Sequence, residues 1–115
     1  MKRPMSKRLT DALTAAGATP VQAQAKYNFP AFDSREAILN FAKTVEDIAV
    51  GAYQGAAAFI SNKAYLAAAG SIVQVSARHA AIINVLLGLD PVPQPMTASL
   101  TLDEVKAKVG PIMNS

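Results

Sequence analysis

Few side chains in this sequence can do chemistry, and two of them fall at matched positions. His79 is the only histidine among 115 residues, and there is no cysteine. A Cys–His pair, a thiolate metal site and a disulfide framework are therefore excluded. Among the acids Glu46 stands out. On a helix its neighbours are Leu39, Ala42, Ala49, Val50 and Tyr53, an apolar surround. Asp47, one residue on, instead has Asn40, Lys43, Thr44, Gly51 and Gln54 about it, a solvated face. His79 repeats the Glu46 pattern, with Ile72, Val75, Ile82, Ile83 and Leu86 around it and Ser76 as the polar exception. Both groups are thus expected to point into a core. A buried, unpartnered charge is expensive, so Glu46 and His79 should either pair with each other or share a metal ion. A lone core histidine with an ordinary hydrogen-bond partner is the plainer alternative, and spacing weighs against it.

That spacing comes from two helices. The first is expected from about Ser34 to Ile60, with Asp33 or Ser34 as N-cap and Glu36 completing a capping box from Asp33. The short break Ser61-Asn62-Lys63 should return the chain antiparallel into the helix that carries Ser71 to Gly88, making a core hairpin over 34–88. Glu46 lies 16 residues before Asn62 and His79 lies 17 after it. Both therefore sit at nearly the same height, roughly 25 Å from the turn.

The composition is that of a folded chain: 51% hydrophobic and 17% charged. Its length suits a single domain over 1–115. The formal net charge is +3, with Lys2, Arg3, Lys7 and Arg8 near the start. No aromatic is interleaved and no basic helix face follows, so a solvated terminus is expected and no nucleic-acid partner. The start lacks the apolar run of a signal peptide, which makes the cytoplasm the default expectation, with export the alternative if the chain is a fragment of a longer precursor. In the hairpin the longest uncharged runs, Ile48 to Asn62 and Ala64 to Ala77, are shorter than the ~20 residues of a span, so no membrane crossing is expected.

Around the hairpin, Ser6 to Ala16 reads as a short helix ended by Gly17 and Pro20, although Lys7 and Arg8 put positive charge at its positive end. A helix beginning further upstream would account for that. Pro20 to Phe32 reads as an extended strap whose Tyr27, Phe29 and Phe32 pack over the bundle ends. A proline-punctuated loop follows Gly88, and Thr101-Leu102-Asp103-Glu104 opens a last short helix with a capping box. Ser76 could hydrogen-bond His79, but no nucleophile-elbow motif surrounds it, so hydrolase chemistry is not expected. There is no glycine-rich phosphate loop; Gly51, Gly55 and Gly70 lie inside helices, where they should permit close packing.

The run VEDIAVGAYQGAAAFISNKAYLAAAGSIVQVSARHAAIINVLLGLDPVP resembles the second half of ferritin-like domains of the desiccation-related, stress-associated type. The third-helix signature of those proteins is similar to Glu46 with Gly51-Ala52-Tyr53-Gln54-Gly55-Ala56-Ala57. Their fourth-helix Glu-Ala-Arg-His-Ala is similar to Ser76-Ala77-Arg78-His79-Ala80. With Ala16-Gly17-Ala18-Thr19-Pro20-Val21 after the preceding helix, the resemblance covers about residues 9 to 93. It implies a carboxylate-bridged di-metal bundle, in which two helices give one Glu each and two give Glu-x-x-His. Only Glu46 and His79 carry over as metal ligands. Ser76 stands where a bridging Glu belongs, and the first helix and the second-helix Glu-x-x-His have no counterpart here.

The expected fold is all-α: a ferritin-like half-bundle, one long helical hairpin with short flanking helices. The expected function is that of a ferritin-like helical protein with a degenerate or absent di-metal centre and a stress-associated structural or binding role. The alternative is an iron- or manganese-binding oxidoreductase of ferroxidase or peroxide type, its site formed on dimerisation. Whether the chain is an enzyme stays open at this point. A homodimer is expected from the apolar arc of the 34–60 helix. Phe41, Val45, Ile48, Ala52 and Phe59 mark one side of that arc, and Leu39, Glu46, Val50, Tyr53 and Ala57 the other. The arc spans roughly 200°, about twice the stripe of an ordinary surface helix. One partner helix cannot cover it, and the flanking helices look too small for the rest.

Overall fold

The computed structural model describes residues 5–113. It is all-α, with α1 (Met5–Ala15), α2 (Arg35–Ala57), α3 (Lys63–Leu86) and α4 (Leu102–Val109). Among the described residues the extended backbone adds one isolated antiparallel bridge, Tyr27 to Met113. The α2–α3 hairpin is the centre of the fold; α4 packs on α2, and α1 touches no other helix.

Local chemistry fixes the ends of these helices. Ser34, with extended backbone, accepts the Ala37 N–H at 3.0 Å and is the N-cap of α2. Asp33 does not cap, so Glu36 lies at the second helical position, one short of a capping box. It still favours the positive end of the dipole. α2 stops at Ala57 rather than Ile60, and tight turns carry Phe59 and Ile60 to Asn62. The Asn62 side chain accepts the N–H groups of Ala64 and Tyr65 and starts α3. Gly88, at φ 74°, ends it, and the Leu89 N–H turns back to the Asn84 carbonyl at 2.8 Å. Gly17, at φ 78°, ends α1 in the same way, with the Ala18 N–H on the Leu13 carbonyl. The Lys7–Asp11 pair on α1 is exposed and contributes little. Of the basic cluster, Lys2 and Arg3 lie outside the described residues.

Thr101 caps α4 with the full capping box. Its N–H donates to Glu104 Oε2 at 2.7 Å, and its hydroxyl accepts the Glu104 N–H at 3.2 Å. The backbone hydrogen bond first, then the Thr101 hydroxyl and the Lys108 charge, hold the Glu104 carboxyl below the ordinary carboxylate value. Because the folded value is the lower one, this cap stabilises α4 fully above the unfolded carboxylate range. That contribution is lost as pH falls through the folded value. In an NMR titration the Glu104 carboxyl should titrate below a free glutamate, with the Thr101 amide following the same curve and Glu104→Gln abolishing it. An unshifted midpoint would contradict the cap.

The strap and the chain after Gly88 cover more of α2 than expected. Phe29 and Phe32 pack on Phe41 with ring centroids 5.7 and 5.5 Å away, and the Asn28 N–H donates to the Ile112 carbonyl. Strap and α4 flank the side of α2 that carries Phe41, Ile48 and Ala52 and leave an open apolar groove along it, the Phe41 groove. The loop before α4 is also pinned: the Leu100 N–H donates to the Gly51 carbonyl at 2.9 Å. The Asp47 side of α2 is thus only partly solvated, since Gly51 on that side is buried.

What remains is a thin core. Among the described residues only Ile48, Val50 and Ala80 are buried apolar side chains, joined by Gly51 and Asn84, and no large side chain is fully enclosed. The chain exposes 8692 Å², against about 6,000 Å² for a folded 12.0 kDa monomer. Its radius of gyration is 15.4 Å, where about 13 Å is usual at this length. The excess lies partly along α3, where Val75, Ile82, Val85 and Leu86 are all exposed. With mean hydropathy 1.3 in its most apolar window, α3 is long and apolar enough to cross a membrane by length and composition. Arg78 ends the uncharged run that starts at Ala64, while the mean hydropathy stays at 1.3.

Candidate functional site

Glu46 on α2 and His79 on α3 meet, with Oε1 and Nδ1 3.1 Å apart. Nearly equal distance from the Asn62 turn brings them level, and 100° per residue turns both towards the same side of the hairpin. The carboxylate offers only acceptors, so with a neutral ring this contact requires the Nδ1–H tautomer and leaves Nε2 as the free acceptor.

The expectation of burial does not hold. The His79 side chain is 55% exposed and that of Glu46 24%. Periodicity groups Ile72, Val75, Ile82 and Leu86 with His79, yet among the described residues Val75, Ile82 and Leu86 stay exposed. An exposed pair of this kind contributes at most about 1 kcal/mol. Ser76, one turn before His79, is half-buried and brings a hydroxyl where a carboxylate would be needed. Asp47 is engaged by Lys43 at 2.6 Å.

Among the described residues, no three histidine, aspartate or glutamate side chains come together. A di-metal centre needs carboxylates that bridge and further ligands from facing helices. One imidazole and one carboxylate already hydrogen-bonded to each other do not supply them. The donors of a single chain therefore do not fit the two-metal site that this architecture implies.

A family model for the ferritin-like domain matches residues 6–89, from the start of α1 to just past Gly88. The chain belongs to the ferritin-like family. No curated protein matches it. The ferritin-like portion thus comprises α1, the strap and the hairpin. The loop from 90 onward and α4 lie beyond the match, and they supply the Leu100 contact that buries Gly51 of the ferritin-like hairpin.

One residue of interest escaped the sequence reading. Asn84 is 4% exposed, and its Oδ1 is buried without a hydrogen-bond partner. Its signal in the sequence is a lone amide within the apolar run Ala80 to Leu87.

Proposed function

We propose that this ferritin-like chain is a structural and binding module of the stress-associated type, without a di-metal centre of its own, that acts as a two-fold dimer. The observation that carries this reading is the open face around the Glu46–His79 contact. Where a metal-bearing bundle would place bridging carboxylates, this chain has Ser76 and two donors occupied with each other. The stress-associated part rests on the similarity of the Glu46–Ala57 and Ser76–Ala80 segments to that branch of the family.

A second reading is favoured by the position of the pair. Glu46 and His79 lie in the middle of the open stripe, so a symmetric dimer would bring two of each towards one axis. That would suit iron or manganese bound between chains. Elemental analysis of purified protein separates the two readings. Absence of bound metal supports the first; stoichiometric iron or manganese, lost on Glu46→Ala, replaces it with the second.

Ser76→Glu gives a sharper check on the lost ligand. Carboxylates suit iron and manganese better than a neutral hydroxyl. The variant is expected to raise affinity for these divalent ions by tenfold or more, about 1.4 kcal/mol, read by titration calorimetry. Unchanged affinity in a folded variant would count against descent from a metal site at this position.

A further inference from the structure

Against α2 between Lys43 and Val50 and α3 between Ala77 and Asn84, the proline-punctuated loop leaves a cavity of about 630 Å³. Its two ends are fixed: Gly88 and the Leu89-to-Asn84 hydrogen bond at the start, Leu100 on Gly51 at the finish. The Asp90 carboxylate accepts the Val92 N–H at 2.8 Å and sets the turn between them. The space is therefore built by the backbone and does not depend on side-chain placement alone. Its volume lies within the range of small-molecule sites, roughly 300–1,000 Å³.

The lining is apolar in the middle, with Ile48, Ala80, Ala81, Val92 and Leu100. Charges at its edge are the self-neutralised Lys43–Asp47 pair and Lys108. Asn84 lies among the apolar groups, 4% exposed, with its Oδ1 unpartnered. A buried amide oxygen left unsatisfied is costly and seeks a donor. As placed, Oδ1 is enclosed beside the cavity rather than open to it; the terminal torsion of asparagine is soft and roughly two-fold, so a turn of the carboxamide would present its amide groups to a ligand there.

We propose that this cavity is a binding site for a small uncharged amphipathic molecule. Its apolar body fills the space under the loop, and its amide-type donor and acceptor pair with the Asn84 carboxamide. An uncharged ligand is favoured because the lining is mostly apolar and its charged groups are the mutually paired Lys43 and Asp47 and the single Lys108. The lining includes neither Glu46 nor His79 and shares no residue with the Val75, Ile82 and Leu86 stripe of the dimer reading.

Benzamide and toluene serve as matched probes, one with the carboxamide and one without, titrated into isotope-labelled full chain and followed by NMR. In the native chain benzamide should move the Asn84 side-chain amide and the Ala80 and Ala98 backbone amides, and bind at least about tenfold more tightly than toluene. In Asn84→Leu the preference for benzamide should vanish; this swap removes an orphaned polar group at similar volume, so folding should persist. Should that variant fail to fold, Ala81→Met, which fills the cavity, should abolish the benzamide shifts instead. Equal affinity for both probes, or shifts confined to the Phe41 groove, would overturn the proposal. So would an Asn84 side-chain amide that neither probe moves, the signature of an oxygen satisfied by water only.

Discussion

Gly55→Ala is expected to destabilise the fold by about 2 kcal/mol, while Gly70→Ala should stabilise it by up to about 1 kcal/mol. Both glycines lie in helix interiors, where alanine is the better helix former by about 1 kcal/mol. Their surroundings reverse the sign. A Cβ on Gly55 would overlap the backbone carbonyl of Leu100, and one on Gly51 would meet the Leu100 side chain, whereas a Cβ on Gly70 meets nothing within 4 Å. Backbone cannot turn aside as the end of a flexible side chain can, so the segment before α4 must lift. That forfeits the Leu100-to-Gly51 hydrogen bond, worth about 1 kcal/mol, and part of the Leu100 burial, worth about 1.5–3 kcal/mol. Chemical denaturation of the two variants beside the native chain measures this. Equal shifts in the same direction would mean that the loop does not rest on α2. Gly55→Ala should also weaken benzamide binding, because the finish of the loop defines the cavity.

The native chain is expected to behave as a 24 kDa species at micromolar concentration, about twice its 12.0 kDa mass, and Ile82→Lys as a monomer that keeps its helices. The chain exposes roughly 2,700 Å² more than a compact protein of its mass. A standard interface needs only about 800 Å² from each partner. The stripe Val75, Ile82 and Leu86 around His79 supplies apolar contact of the right kind. A two-fold axis would set the same stripe of a second copy against it, giving the four-helix bundle that the hairpin leaves half built. Ile82 is 59% exposed, so lysine there costs the isolated chain little. In the dimer each lysine would be buried unpaired, and symmetry doubles the penalty, which should weaken association by at least about 100-fold. Light scattering reads both species. A native monomer of 12 kDa would sink the prediction. Binding of the native chain to lipid vesicles without self-association would assign the face to a membrane instead, in keeping with the apolarity of α3.

Much of the architecture was legible in the sequence because its signals are local. Gly17 and Gly88 end helices by adopting positive φ, and Asn62 and Thr101 start them with side-chain acceptors; each acts within a few residues. Nearly equal spacing about Asn62 was enough to bring Glu46 and His79 together, since helix rise is constant. The family, too, could be recognised from two short segments.

Tertiary structure decided what lies on each face. Glu46 and His79 each have apolar helical neighbours, yet His79 stays open to solvent because periodicity marks a face without saying that anything covers it. The strap and α4, short as they are, flank the Phe41 side of α2 because Tyr27 and Asn28 join the C-terminal segment through contacts that are distant in sequence. Gly51, Gly55 and Gly70 look alike in the sequence. Leu100, far along the chain, makes two of them close-packing sites and leaves the third in open space. Asn84 owes its orphaned oxygen to the same fold-back, which shuts water away from an amide that an isolated helix would leave hydrated. Sequence alone sets where helices begin, end and meet, because those choices depend on neighbours in the chain. Burial depends on residues far away in sequence, and only the folded chain brings them near.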